Sequence, residues 1–335
     1  MDTFKAYLLE KAGDAASGAV KELSMDRLPQ GEVTIRVHYS SVNYKDGLAA
    51  LPVSPIVKSY PFIPGIDLAG VVEHSEADGF SPGDPVLVTG YELGVTHYGG
   101  FSQYARVPAS WVVPLPEGLT MLEAMALGTA GFTAALSLAA LERNGLQPGD
   151  RTAPVLVTGA TGGVGSVAVS LLAASGYRVT ASTGKASEHD YLRQLGADSI
   201  IGRDELRPAD GKPLRRELWA GAIDPVGGEA LAYTLGTIRY GGAAAVSGLT
   251  GGAAFAATVY PFILRGVSLL GIDSVGCPMA VRQEVWSKLA SVWKPISYLN
   301  AGWRMIGLPA LPEALERIQK GQLRGRVIVK LWDDI

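Results

Sequence analysis

The stretch 155-VLVTGATGGVGSVAVSLLAASGYRVTASTGK-185 decides the fold. "VLVTG" is a short apolar run, "VGSVAVSLLAASG" repeats its apolar residues at helical spacing, and "YRVTAST" reads as a second strand. Gly159, Gly162, Gly163 and Gly165 fall between the first strand and the helix. Strand, glycine turn, helix and strand inside about 30 residues make a βαβ unit. The glycines have a physical purpose there. With no side chains in the way, backbone N–H groups and the positive end of the helix can approach a pyrophosphate. The expected contacts are Thr161, Gly162, Gly163 and Val164. A tight turn needed only for helix–sheet packing is the competing reading, and the complete βαβ context favours the dinucleotide.

The second strand ends Ala181-Ser182-Thr183-Gly184-Lys185. A site for NAD places Asp or Glu at this point to hold the ribose 2′-hydroxyl. Here the first carboxylate is Glu188, read as lying in the next helix. Two hydroxyls, Ser182 and Thr183, and the Lys185 ammonium instead suit an added 2′-phosphate, with Gly184 allowing close approach. Arg203, just past the next strand "SIIG", supplies a second cation. The expected cofactor is NADPH. The alternative is that Lys185 and Arg203 are solvated surface charges.

Working outward, residues from Pro154 to about Asp273 alternate strand and helix: "SEHDYLRQLGA", "DSIIG", "AGAIDPVG", "EALAYTLGTI", "GAAAVSGL" and "VSLLGID". That alternation predicts a doubly wound parallel sheet. The first 120 residues differ. Short strands such as "FKAYLLEK", "GEVTIRVHYSSVNYKD" and "LAGVVEHS", cut by Gly and Pro, predict a β-rich, barrel-like lobe. Helical periodicity starts after Thr120, an N-cap with Glu123 three residues on. The tail from Cys277 holds a helix, a second helix "LPEALERIQKG" and a closing strand "RVIVKLW" that returns to the first lobe.

Composition narrows the partners. The chain has 335 residues, 47% of them hydrophobic, and 29 basic against 32 acidic side chains, for a net charge of −3. This balance offers no attraction to nucleic acid or an anionic membrane, so a small-molecule partner is expected. The acids in "MDTFKAYLLEKAGD" interrupt a signal-peptide core, and no uninterrupted run of 18 apolar residues occurs, which points to a cytoplasmic protein. The single cysteine, Cys277, excludes an intrachain disulfide.

Six blocks in order, "SSVNYKDGLA", "IPGIDLAGVV", "GTAGFTAALS", "VTGATGGVGS", "YPFILRGVSLLGIDSV" and "GRVIVKL", resemble the medium-chain dehydrogenase/reductase family over nearly the whole chain. Within it they are similar to the zinc-independent, quinone oxidoreductase-like subgroup that includes NADPH-dependent acryloyl-CoA reductases. The resemblance implies an α/β protein: a GroES-like β-rich barrel lobe from residues 1–125 with 277–335, and a Rossmann NADPH-binding lobe from residues 126–276. Zinc-dependent members ligate metal at positions that match Asn43, Ile66 with Asp67, and Thr129, and these residues cannot assemble a tetrahedral zinc site. His38, His74, His97 and His189 are scattered among unrelated elements. No metal is expected.

Without a metal to ionise an alcohol, reduction of an activated C=C is the reaction expected. It needs hydride at the β-carbon, hydrogen bonds to the enolate oxygen and a proton at the α-carbon. In "SVNYKD", Tyr44 can lie against the cofactor and donate from its hydroxyl, and Asn43 can donate to a carbonyl oxygen. Both are open to a structural reading, ring packing for Tyr44 and a turn cap for Asn43. Asp67 orients a donor or relays a proton, or it fixes backbone amides in a turn. The resemblance implies that Arg326 faces the cleft as an anchor for a carbonyl or an anionic substrate part, against a plain salt bridge. It also implies that Thr129 contacts the cofactor and that Leu249, Ile263 and Ser274 line the nicotinamide half of the groove. The run "VSLLGI" at residues 267–272 reads as an edge strand, and such edges invite pairing, hence a homodimer.

The expected substrate is acryloyl-CoA or a similar enoyl thioester. The alternatives are a quinone or enone reductase and, in another class, a non-catalytic nucleotide-binding module.

Overall fold

The computed structural model describes residues 3–13, 15–149, 151–206 and 212–333. In chain order the first elements are β1 (Thr3–Ala12), β2 (Ala15–Ser24), β3 (Val33–Ser41), α1 (Tyr44–Ala49), β4 (Asp67–Ser75), β5 (Pro85–Thr89), β6 (Tyr104–Val107), β7 (Val113–Pro114) and α2 (Met121–Arg143). They are followed by β8 (Val155–Val157), α3 (Gly163–Ala174), β9 (Val179–Thr183), α4 (His189–Leu195), β10 (Ser199–Gly202), β11 (Trp219–Asp224), α5 (Gly228–Thr237), β12 (Ile238–Val246), α6 (Tyr260–Arg265) and β13 (Ser268–Gly271). The last are α7 (Met279–Ala290), α8 (Ile296–Ala301), β14 (Trp303–Gly307), α9 (Leu311–Gln319) and β15 (Arg326–Lys330). Two compact units result. One comprises Met1–Thr129, Val275–Ala290 and Trp303–Ile335, the other Ala130–Ser274 and Ser291–Gly302.

The second unit holds a six-stranded sheet in the order β10-β9-β8-β11-β12-β13. Every pairing in it is parallel. The order reverses between β8 and β11, the topological switch point at which doubly wound sheets bind ligands. All three residues of β8 are buried, which accounts for an apolar run with no alternation. Gly165 lies in the first turn of α3, where a Cβ would collide with the Gly159 carbonyl oxygen and sit 2.7 Å from Ala160 Cα. Close helix–strand packing therefore requires that glycine.

The first unit is built on a seven-stranded sheet, six strands in the order β14-β15-β3-β4-β5-β7 and β6 paired to β3 off that path, with a separate β1–β2 hairpin. Its core gathers Val33, Ile35, Val37, Leu68, Val86, Val88, Val327 and Val329 from alternate positions of these strands. Two strands lie outside the pattern read from the sequence. Nearly every residue of β2 is exposed or half-exposed, and β14 is similar, so neither carries an apolar alternation.

Thr120 caps α2 as expected. Its hydroxyl accepts from Glu123 N–H at 3.1 Å, and the Glu123 carboxylate accepts from Thr120 N–H at 2.9 Å. An 18-residue window of α2 has a mean hydropathy of 1.6, enough for a membrane span, but 83% of that window is buried within the protein. The apolar character of α2 is that of a core helix.

Candidate active site

Three strand ends of the first unit converge. β3 runs antiparallel to both β4 and β15, with Ser40 opposite Leu68 and Ser41 opposite Ile328. Ser41 at the end of β3 thus meets Asp67 at the start of β4 and Arg326 at the start of β15. Arg326 is only 3% exposed and Asp67 is fully buried. Arg326 Nη2 donates to Asp67 Oδ2 at 2.8 Å and also to Ser41 Oγ. Ser41 Oγ in turn donates to Asp67 Oδ2 at 2.7 Å. Asn43 connects the two ions: its Oδ1 accepts from Arg326 Nη1 at 2.6 Å, and its Nδ2 donates to Asp67 Oδ2 at 2.8 Å. Arg326 Nη1 also donates to the Val42 carbonyl at 3.1 Å, which leaves Nε as the guanidinium position without an acceptor among the described residues.

Thr129 completes the cluster. Its hydroxyl donates to Asp67 Oδ1 at 2.5 Å, and its N–H lies 3.1 Å from both carboxylate oxygens. The cluster therefore holds Asn43, Asp67, Thr129 and Arg326, drawn from four separate parts of the sequence, together with Ser41, which the sequence reading missed. A buried ion pair held by this many hydrogen bonds is rigid, although the Arg326 Nε–H has no acceptor among the described residues.

Asp46, which the sequence reads only as a partner for Lys45 or the beginning of a helix, does help begin α1 and also belongs to this framework. It is fully buried on α1, where Oδ2 accepts from Asn43 N–H at 2.8 Å and Oδ1 from Ile66 N–H at 3.0 Å. One carboxyl group thus ties down the backbone beside both Asn43 and Asp67. Burial pushes its pKa up to about 7, with the nearby Asp67 charge adding to the rise while the two N–H groups and Arg326 oppose it. The signal in the sequence was an Asp three residues after Asn43, the spacing of a helix-capping pair.

Tyr44 differs from the cluster in being accessible. It is 38% exposed at the first position of α1, where its carbonyl accepts from Gln319 Nε2 of α9 at 3.0 Å. Its ring is not the buried packing group that the structural reading of this loop required.

In the second unit the glycine turn runs from Gly159, with φ at +55°, to the start of α3 at Gly163. Thr161 sits in the turn, and Gly162, Gly163 and Val164 enter the helix with N–H groups at its positive end. The Thr161 and Thr183 hydroxyls are 3.5 Å apart, and Thr183 Oγ1 accepts from Lys185 N–H at 3.1 Å. Ser182 is buried in β9, its carbonyl accepting from Ala160 N–H at 3.0 Å. The Arg203 guanidinium packs over Gly184, where a Cβ would stand 3.2 Å from its central carbon. Partial burial lowers the Lys185 pKa, and the Glu188 carboxylate acts in the opposite direction.

Leu249 lies in the loop after β12, with its Cα 3.5 Å from the position a Gly227 Cβ would take. Val226 approaches Gly159 in the same way at 3.0 Å. The loops after β8, β11 and β12 are therefore contiguous at the carboxyl edge of the sheet, and Asp224 holds the middle one by accepting from Val226 and Gly227 N–H at 2.8 and 2.6 Å. Ile263 lies instead on α6, 69% exposed beside the exposed Leu264, and Ser274 follows β13 half-buried.

Zinc does not fit this donor set. Ile66 has no donor atom, the Asn43 amide is spent on Arg326 and Asp67, and a dication at Asp67 would face a guanidinium already bonded there. Among the described residues no three His, Cys, Asp or Glu side chains are grouped to hold a metal.

The sequence matches the alcohol dehydrogenase GroES-like domain family over residues 29–117 and the zinc-binding dehydrogenase family over residues 163–291. It is 52% identical to the acrylyl-CoA reductase AcuI of Ruegeria pomeroyi over 330 residues, 97% of this chain and 98% of that protein. It is 54% identical to the "Putative quinone oxidoreductase YhfP" of Bacillus subtilis over 328 residues, 98% of this chain and 99% of that one. The crystal structure of YhfP with NAD bound matches with a TM-score of 0.96 over 99% of this chain and all of that one. The yhdH oxidoreductase of Salmonella enterica, solved in complex with NADP, matches with a TM-score of 0.94 and 46% identity over 98% of this chain and all of that one.

Proposed function

The chain belongs to the medium-chain dehydrogenase/reductase family of oxidoreductases, and from that premise we propose that it is an NADPH-dependent reductase of activated C=C bonds, with acryloyl-CoA or a similar enoyl thioester as substrate. The observation that carries this reading is the buried Arg326–Asp67 cluster at the positions where zinc-dependent members bind metal. An ion pair, an amide and a hydroxyl cannot turn an alcohol into an alkoxide at neutral pH. They can hold donors still while charge develops on a carbonyl oxygen.

When bound, NADPH supplies the hydride that the β-carbon receives. The chain's residues have the remaining tasks. Gly163 and Val164 offer N–H groups to the pyrophosphate with Thr161 beside them in the turn, the Gly162 N–H being given to the Gly159 carbonyl at 2.9 Å, and Thr183, Lys185 and Arg203 receive the 2′-phosphate. The lowered Lys185 pKa fits this assignment, since partial burial disfavours the ammonium and an arriving phosphate would offset that cost. The kinship with the NADP-bound Salmonella protein supports the same cofactor, and kinship with AcuI supports the substrate class.

Asn43, Asp67 and Arg326 act from behind, as a buried frame for the loop that bears Tyr44. Tyr44, accessible at the start of α1, offers its hydroxyl to the enolate oxygen or hands a proton to the α-carbon. Each turnover takes one hydride and one proton, turning the alkene into the saturated thioester.

A cytoplasmic homodimer is part of this reading. β13 ends the parallel sheet, and Val259, Tyr260, Ile263 and Leu264 nearby are exposed apolar residues. A monomer mass by light scattering at every concentration would remove the dimer.

Following NADPH absorbance with acryloyl-CoA, a free enone and a quinone side by side tests the activity. The thioester should give the highest kcat/KM, it should lose rate when coenzyme A is cut to a short thiol, and a chelator should change nothing. A quinone preferred over both alkenes would make the protein a quinone reductase. Calorimetric NADPH binding with no oxidation by any acceptor would make it a nucleotide-binding module.

A further inference from the structure

The sequence of α2 is one continuous, largely apolar helical run, yet its backbone leaves the helix at one residue. Gly128 has φ of 52° and ψ of −158°, a region essentially reserved for glycine. Two features meet at this break. In an unbroken helix the Thr129 N–H would be committed to the carbonyl four residues earlier, and here it points at the Asp67 carboxylate instead. On the other side, a methyl group on the Gly128 Cα would fall on Arg326 Nη2, 2.5 Å from Asp67 Oδ2 and 2.7 Å from Ser41 Oγ. None of these neighbours can swing away into solvent, because Asp67 and Ser41 are fully buried and Arg326 nearly so.

We propose that Gly128 is a positioning residue for the reduction: the missing side chain is the space in which the Arg326–Asp67 pair assembles, and the broken backbone delivers Thr129 to the same carboxylate. A side chain at this position expels the guanidinium, so residue 128 determines whether the site contains a fixed organic cation. Gly128 acts through Arg326, Asp67 and Thr129, with no contact to substrate needed. The inference rests on the reading of the cluster as the frame behind Tyr44, so its test has one readout that depends on that reading and one that does not.

The variants are Gly128→Ala in the wild-type chain and Gly128→Ala in an Arg326→Ala/Asp67→Ala/Ser41→Ala background, which has neither charge and removes all three side-chain atoms that the methyl group would meet. The activity-independent readout is the urea denaturation midpoint. Gly128→Ala should lower the midpoint in the wild-type chain and lower it by less than half as much in the vacated background. Equal shifts in the two backgrounds would overturn the proposal, because backbone strain alone acts the same with or without the guanidinium.

The kinetic readout is the split between turnover and binding. Gly128→Ala should lower kcat for acryloyl-CoA by at least about 30-fold, given that misplacement by an ångström costs on the order of a hundredfold. The NADPH Kd should stay within about threefold. A folded Gly128→Ala protein with wild-type kcat would overturn the proposal. Should Gly128→Ala fail to fold while the vacated background tolerates it, the steric claim stands, and failure of both would defeat it. A wild-type protein that reduces no activated alkene would sink the functional reading, and the denaturation comparison would still decide the role of Gly128.

Discussion

Replacing Arg326 by methionine keeps the apolar stem and removes the charge, which isolates what the guanidinium contributes. Asp67 loses its only cationic partner in the cluster, at 2.8 Å, and Asn43 Oδ1 loses a donor at 2.6 Å. Breaking a buried ion pair on one side costs about 3–5 kcal/mol, because the remaining charge stays in a place water cannot reach. The orphaned amide oxygen would add about 1–3 kcal/mol if it were independent, but the two losses share one network and do not sum. Against a typical stability of about 5–15 kcal/mol, Arg326→Met should cost about 4 kcal/mol, enough to lower the urea midpoint clearly at an unchanged m-value. Asp67→Asn alone should cost nearly as much by leaving the cation unpaired. The double variant Arg326→Met/Asp67→Asn should recover at least about 2 kcal/mol of the summed penalties. A cycle that couples the two residues by less than about 0.5 kcal/mol would show that the pair is not what holds the cluster together.

The raised Asp46 pKa makes stability depend on pH. The folded protein keeps a proton on Asp46 between the ordinary carboxylate value of 3.8 and about 7, so its contribution is complete below pH 4 and is lost as the pH rises through 7. The loss is on the order of 4 kcal/mol. Asp46→Asn should flatten that slope between about pH 4 and 7, and parallel slopes in urea midpoints would refute the assignment. For Lys185→Glu, NADPH should bind at least about tenfold more weakly, since bonds to charged groups are worth about 1.5–3 kcal/mol, while NADH changes little. Equal losses for both cofactors by calorimetry would contradict the phosphate contact. Tyr44→Phe should reduce kcat about a hundredfold or more with NADPH affinity preserved; turnover at the wild-type rate would take the hydroxyl out of the chemistry.

The parallel sheet was legible because its signals are local. Strand, glycine turn and helix follow one another within a single βαβ unit, and burial on both faces makes β8 uniformly apolar. The Thr120–Glu123 cap was legible for the same reason. Asn43, Asp67 and Arg326 came from the family resemblance. What could not be read was that they hydrogen bond to each other, since Asp67 and Arg326 are 259 positions apart and only the pairing of β3 with β4 and β15 brings them together. Thr129 reads as a cofactor contact, and its bond to Asp67 depends on the break at Gly128, which the continuous apolar run of α2 conceals. β2 and β14 escaped because exposed strands have no apolar face to reveal them.

The central claim is that hydride passes from NADPH to the β-carbon of a conjugated thioester, with a solvent-exchangeable proton reaching the α-carbon. NADPH deuterated at C4, prepared in each of its two stereochemical forms and supplied with acryloyl-CoA, tests it directly by NMR of the propionyl-CoA formed. One of the two forms should place a single deuterium at C3, leaving C2 to take its hydrogen from water. Label at C2, or unlabelled product from both forms, would contradict the account.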